Sequence, residues 1–138
     1  MLPKEILFKT LRHEPTDQVA WVPFAGVHAG KLTGHAATEV LTDADKLFES
    51  LMEVNRLYKP HGQPVVFDLQ LEAECLGCDL RWAKDGPPSV ASHPLADDMT
   101  VPCECTIPTP EDGRLPLVLD VMRRMKAAVG ESSALYGL

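Results

Sequence analysis

The sequence has little positive charge, few aromatic residues and no basic tract. Lysine and arginine together number 13, against 20 aspartate and glutamate residues, so the formal net charge is −7. Proteins that bind nucleic acid or anionic membranes select for a surplus of lysine and arginine. The composition therefore argues against both nucleic acid and membrane surfaces as partners.

Long apolar runs are also missing. No stretch approaches the roughly 20 apolar residues that span a bilayer. The first residues, MLPKEILFKTLRHEPTD, carry too much charge for the apolar core of a signal peptide. We therefore expect a cytoplasmic protein.

The remaining composition is that of an ordinary globular protein, with 45% apolar and 24% charged residues. A chain of 138 residues is long enough for one domain with its own core. We therefore treat residues 1–138 as a single domain.

Apolar residues at helical spacing predict three helices. The first covers 3–13 and has Pro3 in its first turn. The second runs through LTDADKLFESLMEVNRLYKPHG, with Thr42 as its predicted cap. The third begins at Pro116 and ends near Val129, before Gly130.

Short apolar runs between these helices predict buried strands at QVAWVPFAG (18–26), at VVFDL (65–69) and in the final SSALYGL. Alternating side chains around Asp85-Gly86 predict a hairpin, and a proline-rich connector follows from Pro94 to Pro110. The order of elements indicates an α/β fold in which helices bury parallel strands. A buried-type strand at 134–138 would leave a strand edge that needs a neighbour.

Four stretches of the sequence resemble, in order, the N-terminal part of the uroporphyrinogen decarboxylase superfamily. They are ILFKTLRHEPTDQVAWVPF, VVFDLQLEAECLGCDLRW, DGPPSVASHPL and DGRLPLVLDVMRRMKAAVGESSALYGL. The likeness is greatest to the methylcobamide:coenzyme M methyltransferase-like branch. The resemblance implies the N-terminal portion of a (β/α)₈ barrel, a fold that typically needs ~250 residues. We therefore expect an incomplete barrel of about three strands with flanking helices and a hairpin insertion.

The resemblance implies a catalytic role for Asp68, at the end of a barrel strand, where barrel enzymes place their chemistry. In the decarboxylases this carboxylate gathers the pyrrole N–H groups of the substrate and stabilises the cation formed on ring protonation. The structural alternative is an acid that caps the short helix beginning near Leu71. Glu72 and Glu74 resemble the VEAE of the methyltransferase-like branch, although the helix dipole also favours acids in a first turn.

The segment PFAGVHAGKLTG departs from the decarboxylase pattern. Decarboxylases carry an R-Q-A-G-R-Y-like motif there, whose arginines pair with substrate carboxylates, whereas this sequence has Pro23 and Val27 at both arginine positions. Recognition of several carboxylates depends on such cations. The resemblance makes Phe24, Gly26 and His28 candidate substrate- or cofactor-binding residues, with a loop histidine as the alternative for His28.

The four cysteines form C-x₂-C…C-x-C, which only superficially suggests zinc, because the second pair lacks the two-residue gap of ribbon sites. We expect no metal site in this chain, and small buried apolar residues explain CLGC better. The methyltransferases that this sequence resembles use a His/Cys/Cys zinc, whose ligands lie in the C-terminal half of the barrel.

The function expected from the resemblance is that of an N-terminal piece of a corrinoid-dependent methyltransferase, which moves a methyl group from a methylcobamide to a thiol or another small acceptor. One alternative is uroporphyrinogen III decarboxylase, which needs no cofactor. A second alternative is a truncated, non-catalytic module, since this chain alone is expected to be inactive. The expected partners are a tetrapyrrole, a corrinoid or a corrinoid protein, and further copies of the chain paired through exposed strand edges.

Overall fold

The structure is a computed structural model that describes residues 1–96 and 103–137. Its helices are α1 (Pro3–Leu11), α2 (His28–Thr33), α3 (Ala37–Thr42), α4 (Ala44–Tyr58), α5 (Leu71–Cys75) and α6 (Leu115–Val129). Its strands are β1 (Gly62–Pro64), β2 (Leu80–Arg81), β3 (Ser89–Val90) and β4 (Ala134–Tyr136), and a 3₁₀ turn covers Glu104–Thr106. Part of the predicted proline-rich connector, residues 97–102, lies outside the described residues.

Strands β1 and β4 pair in parallel, in a register that places Gly62 opposite Ala134 and Pro64 opposite Tyr136. The long connection between them contains α5, the β2–β3 hairpin and α6. Such a crossover is what a parallel pair requires, because a tight turn joins only antiparallel strands. The predicted α/β arrangement with a strand near the end of the chain is therefore confirmed.

The core lies between this strand pair and helices α4 and α6. Apolar side chains of both helices and of the residues after β1 form one buried cluster. Its most enclosed members are Val65, Val121 and Met125, each with no exposed side-chain area. Burial of this kind stabilises each residue by roughly 1.5–3 kcal/mol, so the two longest helices and β1 hold the domain together.

The strand predicted at 65–69 is displaced, since the regular strand is Gly62–Pro64. Val65 still donates its N–H to the carbonyl oxygen of Tyr136, at 3.1 Å, before the chain turns toward α5. Gly62 permits the earlier start, because a Cβ there would lie 2.7 Å from Leu7 Cδ2. The glycine lets α1 approach the strand closely, which an apolar-run pattern does not reveal.

The strand predicted at 18–26 is wrong, because this segment forms no regular strand. The carbonyl of Trp21 accepts the N–H of His61 at 3.0 Å, but the N–H of Trp21 donates to the His61 ring atom Nδ1, at 2.6 Å. A side chain thus replaces the backbone acceptor that would continue a ladder. Val19 is 90% exposed, so the run is not buried either.

The predicted second helix is α4, which Asp43 separates from the shorter α3. The Asp43 side chain accepts hydrogen bonds from the N–H groups of Asp45 and Lys46, at 2.9 and 3.1 Å, and so caps α4. Thr42, the predicted cap, instead ends α3 and donates its hydroxyl to the Thr38 carbonyl. Sequence patterning thus found the helix but missed its start by one residue.

The other helical and hairpin predictions are confirmed with small shifts at the ends. The first helix is α1, the hairpin around Asp85-Gly86 is the antiparallel pair β2–β3, and the helix near Pro116 is α6. The short α2 and α3 were not predicted, because neither reaches two full turns of apolar periodicity. Among residues 1–96 and 103–137, no helix combines the length and the apolar character that a bilayer span requires.

Candidate functional site

Asp68 lies four residues beyond β1, and its side chain is fully enclosed. One carboxylate oxygen, Oδ1, accepts the N–H of Gln70 at 3.0 Å, and the Asp68 carbonyl accepts the N–H of Leu71 at 3.4 Å. These contacts fix the turn into α5. The carboxylate therefore stabilises this turn, but it does not cap α5 as the structural alternative proposed, because the N-cap residue of that helix is Gln70.

Arg114 supplies the counter-charge for Asp68. Its Nη1 lies 2.7 Å from Asp68 Oδ2, and its Nε donates to Glu74 Oε2 at 2.6 Å. The same Nη1 donates to the Leu41 carbonyl at 3.1 Å, and the guanidinium carbon lies 4.9 Å from the centre of the Trp82 ring. One guanidinium thus contacts four residues, namely Leu41, Asp68, Glu74 and Trp82.

We call Asp68, Glu74, Arg114 and Trp82 the Arg114 cluster. The side chain of Arg114 is only 11% exposed, so its attraction to the two carboxylates is weakly screened by solvent. Oδ2 of Asp68 and Nη2 of Arg114 have no hydrogen-bond partner within the described residues. The Asp68–Arg114 contact is therefore an ion pair that does not meet the geometry of a hydrogen bond.

Sequence reasoning did not identify Arg114 as a site residue. A planar, five-donor guanidinium suits a position where one cation must bridge two carboxylates. Nothing in the spacing of residues 68, 74 and 114 relates them, however, because α5 and the hairpin separate them in the chain. Only the tertiary structure brings them together.

Aromatic side chains form a second group beside the strand ends. The Phe24 ring makes edge-to-face contacts with Phe67, at 5.4 Å between centroids, and with Tyr136, at 6.2 Å. Gly26 fits against this group, since a Cβ there would lie 3.2 Å from Phe67 Cδ1, and its φ of 52° favours glycine. We call Phe24, Phe67 and Tyr136 the aromatic wall.

Two properties of the aromatic wall are chemically relevant. Phe24 is 55% exposed, so an apolar ring face is open to a ligand. Burial raises the pKa of Tyr136, and its hydroxyl is buried with no partner within the described ranges. The phenol therefore remains neutral and keeps a free hydrogen-bond donor.

His28 is placed differently from the other candidate residues. It begins α2, and its Nε2 lies 2.9 Å from the Tyr58 hydroxyl, with the two rings stacked at 6.3 Å. Tyr58 in turn contacts Trp21 edge to face. The structure thus gathers Phe24 and Gly26 around Phe67, the neighbour of Asp68, and joins His28 to the end of α4.

The described residues do not form a metal centre. No three His, Cys, Asp or Glu side chains in residues 1–96 and 103–137 cluster in a way that could hold an ion. Cys75 and Cys78 are free thiols, whereas Cys103 takes part in a disulfide. The described residues therefore do not fit the zinc that the resemblance implies for the complete enzyme.

Cys75 should react slowly with alkylating reagents. Burial raises the pKa of its thiol, so less of the nucleophilic thiolate is present. Gly113 also shields the sulfur, since a Cβ there would lie 2.9 Å from Sγ. We expect iodoacetamide to modify Cys75 in the native Cys78→Ser variant several-fold more slowly than in the same variant in urea, measured by peptide mass spectrometry. Equal native and urea rates would contradict this account.

Comparisons with known proteins agree with this architecture. The family model described as uroporphyrinogen decarboxylase (URO-D) matches residues 2–138. A solved structure of a methyltransferase from Methanosarcina mazei superposes with a TM-score of 0.79 at 23% identity, covering 99% of this chain and 42% of that one. The comparison with curated proteins gave no match. This chain thus spans less than half of its structural neighbour, and the prediction of an incomplete barrel is confirmed.

Proposed function

Because the chain belongs to the uroporphyrinogen decarboxylase family, we propose that it forms part of the substrate pocket of a corrinoid-dependent methyltransferase. In the intact enzyme, a methyl group would pass from a methylated corrinoid to a thiol or another small acceptor. The structural likeness to a Methanosarcina methyltransferase supports this branch of the family over the decarboxylases.

The observation that carries the proposal is that the arginine nearest the candidate site is already paired with carboxylates. The guanidinium of Arg114 is already neutralised by Asp68 and Glu74. Pro23 and Val27 stand where the decarboxylases carry arginines. A substrate with several carboxylates needs unpaired cationic side chains in its pocket. The aromatic wall has apolar rings in place of such cations.

The aromatic wall suits a large, flat macrocycle. Aromatic rings contribute large apolar contact areas, and edge-to-face packing holds Phe24, Phe67 and Tyr136 in fixed orientations. In the proposed complex, Phe24 and Gly26 contact the macrocycle, and the Tyr136 ring holds Phe24 in its orientation. His28 lies apart from the aromatic wall, with Nε2 2.9 Å from the Tyr58 hydroxyl, so a binding role for it requires a ligand that extends from the wall toward the end of α4.

The alternative function, uroporphyrinogen decarboxylation, is favoured by one observation. Asp68 Oδ2 is a buried carboxylate oxygen with no hydrogen bond from the described residues. An acceptor held in this way could receive pyrrole N–H groups and stabilise a cation on the macrocycle. Because the Asp68 side chain is fully enclosed, a substrate could reach it only if neighbouring contacts opened.

We further propose that this chain alone has negligible activity. Barrel enzymes build their pockets from loops at the ends of several strands. In the described part of this chain, only β1 and β4 form a parallel pair. The pocket of the intact enzyme therefore needs walls from elsewhere, and this chain alone would serve as a non-catalytic binding module.

An absorbance titration tests the proposed binding of a corrinoid. We expect added cobalamin to bind the purified chain, so that the visible absorbance spectrum of the cobalamin changes. Uroporphyrinogen should not be consumed. The Phe24→Ala variant should bind several-fold more weakly, because it removes a ring that is 55% exposed in the wall. Ile107→Ala, which alters an apolar residue that is 67% exposed elsewhere, is the matched control.

Two results of this titration would contradict the methyltransferase proposal. An unchanged cobalamin spectrum at saturating protein concentration would show that the corrinoid does not bind this chain. Conversion of uroporphyrinogen by the chain, abolished in Asp68→Asn, would favour the decarboxylase and would also show that the chain alone is active.

A further inference from the structure

The β2–β3 hairpin contributes Trp82 to the Arg114 cluster. The Trp82 ring lies over the guanidinium of Arg114, with 4.9 Å between the ring centre and the guanidinium carbon. Trp82 is 36% exposed, the side chain of Arg114 is 11% exposed, and that of Asp68 has no exposed area. Exposure therefore falls from the ring through the guanidinium to the carboxylate. Trp82 thus covers Arg114, and Arg114 covers Asp68.

The hairpin has few buried contacts with the rest of the domain. Its two strands are two residues long, with Leu80 opposite Val90, and a two-stranded hairpin is only marginally stable by itself. Between residues 79 and 92 only Pro88 is buried, and in the described part of the chain the apolar core includes no residue of this range. Segments with few buried apolar contacts open locally while the core stays folded. The hairpin can therefore move without unfolding the domain.

The two ends of the hairpin join the domain at one place. Gly77, whose φ of 91° favours glycine, precedes β2, and Pro94 follows β3. A Cβ at Gly77 would lie 3.8 Å from Pro94 Cγ, so the two ends are adjacent. Hinges are a few loop residues that absorb changes in backbone dihedral angles. A narrow base with a glycine at one end meets this requirement.

Two hydrogen bonds hold the turn side of the hairpin against α3. The Lys84 carbonyl accepts the N–H of Ala37 at 2.9 Å, and the Ala83 carbonyl accepts the hydroxyl of Thr38 at 3.0 Å. The first of these bonds satisfies an N–H in the opening turn of α3, where such groups have no partner within their own helix. Together with the contact of Trp82, these bonds keep the hairpin closed over the Arg114 cluster.

We propose that residues 79–92 form a lid that opens and closes access to Asp68. When the Trp82 ring lifts, Arg114 loses its cover and can turn toward Glu74, whose side chain is 26% exposed and already accepts Arg114 Nε at 2.6 Å. Arg114 then leaves Asp68 Oδ2, which it holds by charge without a hydrogen bond. A buried carboxylate without a partner is strongly unfavourable. The group that enters must therefore bring a positive charge or a hydrogen-bond donor.

A role for this lid in ligand entry rests on the proposed function, but the motion itself does not. Every contact that opens belongs to the hairpin, to α3 or to the Arg114 cluster, and the aromatic wall takes no part in it. If cobalamin did not bind, lid opening would still be measurable. If the lid did not open, binding of cobalamin to the aromatic wall would still be measurable. The two proposals can therefore fail separately.

Carboxyl footprinting of the full chain tests whether Trp82 covers Asp68. A carbodiimide with glycine ethyl ester converts accessible carboxylates into amides, which peptide mass spectrometry locates. Asp68 should be labelled several-fold faster in Trp82→Ala than in the wild type, whereas Asp45, whose side chain is 88% exposed, should be labelled equally in both. Trp82→Phe keeps an aromatic face for the guanidinium and should restore slow labelling. Trp21→Ala is the matched control: Trp21 is 50% exposed and contacts Tyr58, so its removal should leave the labelling of Asp68 unchanged.

Hydrogen exchange of the wild-type chain measures the motion without any variant. The Ala37 N–H is held by the Lys84 carbonyl and exchanges when the hairpin leaves α3. Val121 and Met125 have no exposed area, so their amides in α6 report opening of the core. We expect Ala37 to exchange about ten-fold faster than either, or more, and with little dependence on urea, because local opening exposes little surface.

Three results would overturn the lid. The first is exchange of Ala37 at the rate and with the urea dependence of Met125. The second is labelling of Asp68 that Trp82→Ala does not change, and the third is labelling that Trp21→Ala raises equally. Trp82→Ala should keep the circular dichroism spectrum of the wild type; if it unfolds instead, hydrogen exchange of the wild type alone decides.

Discussion

Replacing Arg114 with methionine should lower the free energy of unfolding by about 3–5 kcal/mol, the usual cost of removing one partner from a buried ion pair. The loss arises because the Asp68 carboxyl group, whose side chain has no exposed area, would stay buried without the guanidinium that lies 2.7 Å away. Glu74 and the Leu41 carbonyl would lose the same donor group. Urea unfolding followed by circular dichroism measures the difference.

Arg124 provides a matched control on the same helix. Its ion-pair partner Asp45 has a side chain that is 88% exposed, and exposed pairs contribute only about 0.2–1 kcal/mol. Arg124→Met should therefore cost far less than Arg114→Met, although both variants remove an arginine, one from within α6 and one from the residue that precedes it. Equal losses in the two variants would show that the Arg114 cluster does not stabilise the fold as proposed.

The double variant Asp68→Asn with Arg114→Met separates the pair from its surroundings. The double variant removes both charges of the pair. Its loss of unfolding free energy should therefore be smaller than the sum of the losses in the two single variants. Contacting residues commonly show coupling of roughly 0.5–3 kcal/mol in such a cycle. Simple additivity would mean that the two side chains act independently.

Replacing Met125 with alanine should lower the free energy of unfolding by about 2–5 kcal/mol, as for other large-to-small changes in cores. Met125 has no exposed area and belongs to the cluster that joins α4, α6 and the residues after β1. Alanine is the best helix former, so α6 itself is not weakened. The loss would come from apolar contacts and from the cavity left behind.

Met122 is the control for this change, because it lies one turn earlier on α6 and is only partly buried. Met122→Ala should cost clearly less in the same urea experiment. If Met122→Ala proved as destabilising as Met125→Ala, the apolar centre of the domain would not lie where the structure places it.

Local patterns predicted the helices well because their causes are local. The apolar stripes of α4 and α6, the first-turn prolines of α1 and α6, and Gly130 after α6 are all legible in short windows of sequence. The hairpin around Asp85-Gly86 is equally local. Errors arose where another segment decided the outcome, as when the ring of His61 replaced a backbone acceptor for Trp21.

The candidate site was predicted in part. Resemblance directed attention to Asp68, Phe24, Gly26 and His28, and the structure gathers Phe24 and Gly26 around Phe67, beside Asp68. Their roles in catalysis and binding remain predictions. Arg114 could not be found in this way, because ion pairing depends on distance in space and not on spacing in the chain.

The sequence by itself determined the α/β class, the main helices and the family, because periodicity, capping residues and ordered motifs are properties of short stretches. Tertiary structure alone decided which charges neutralise one another and how Phe24, Phe67 and Tyr136 meet. These outcomes depend on contacts between segments that are distant in the chain, and burial sets their strength by removing the solvent that would otherwise screen them.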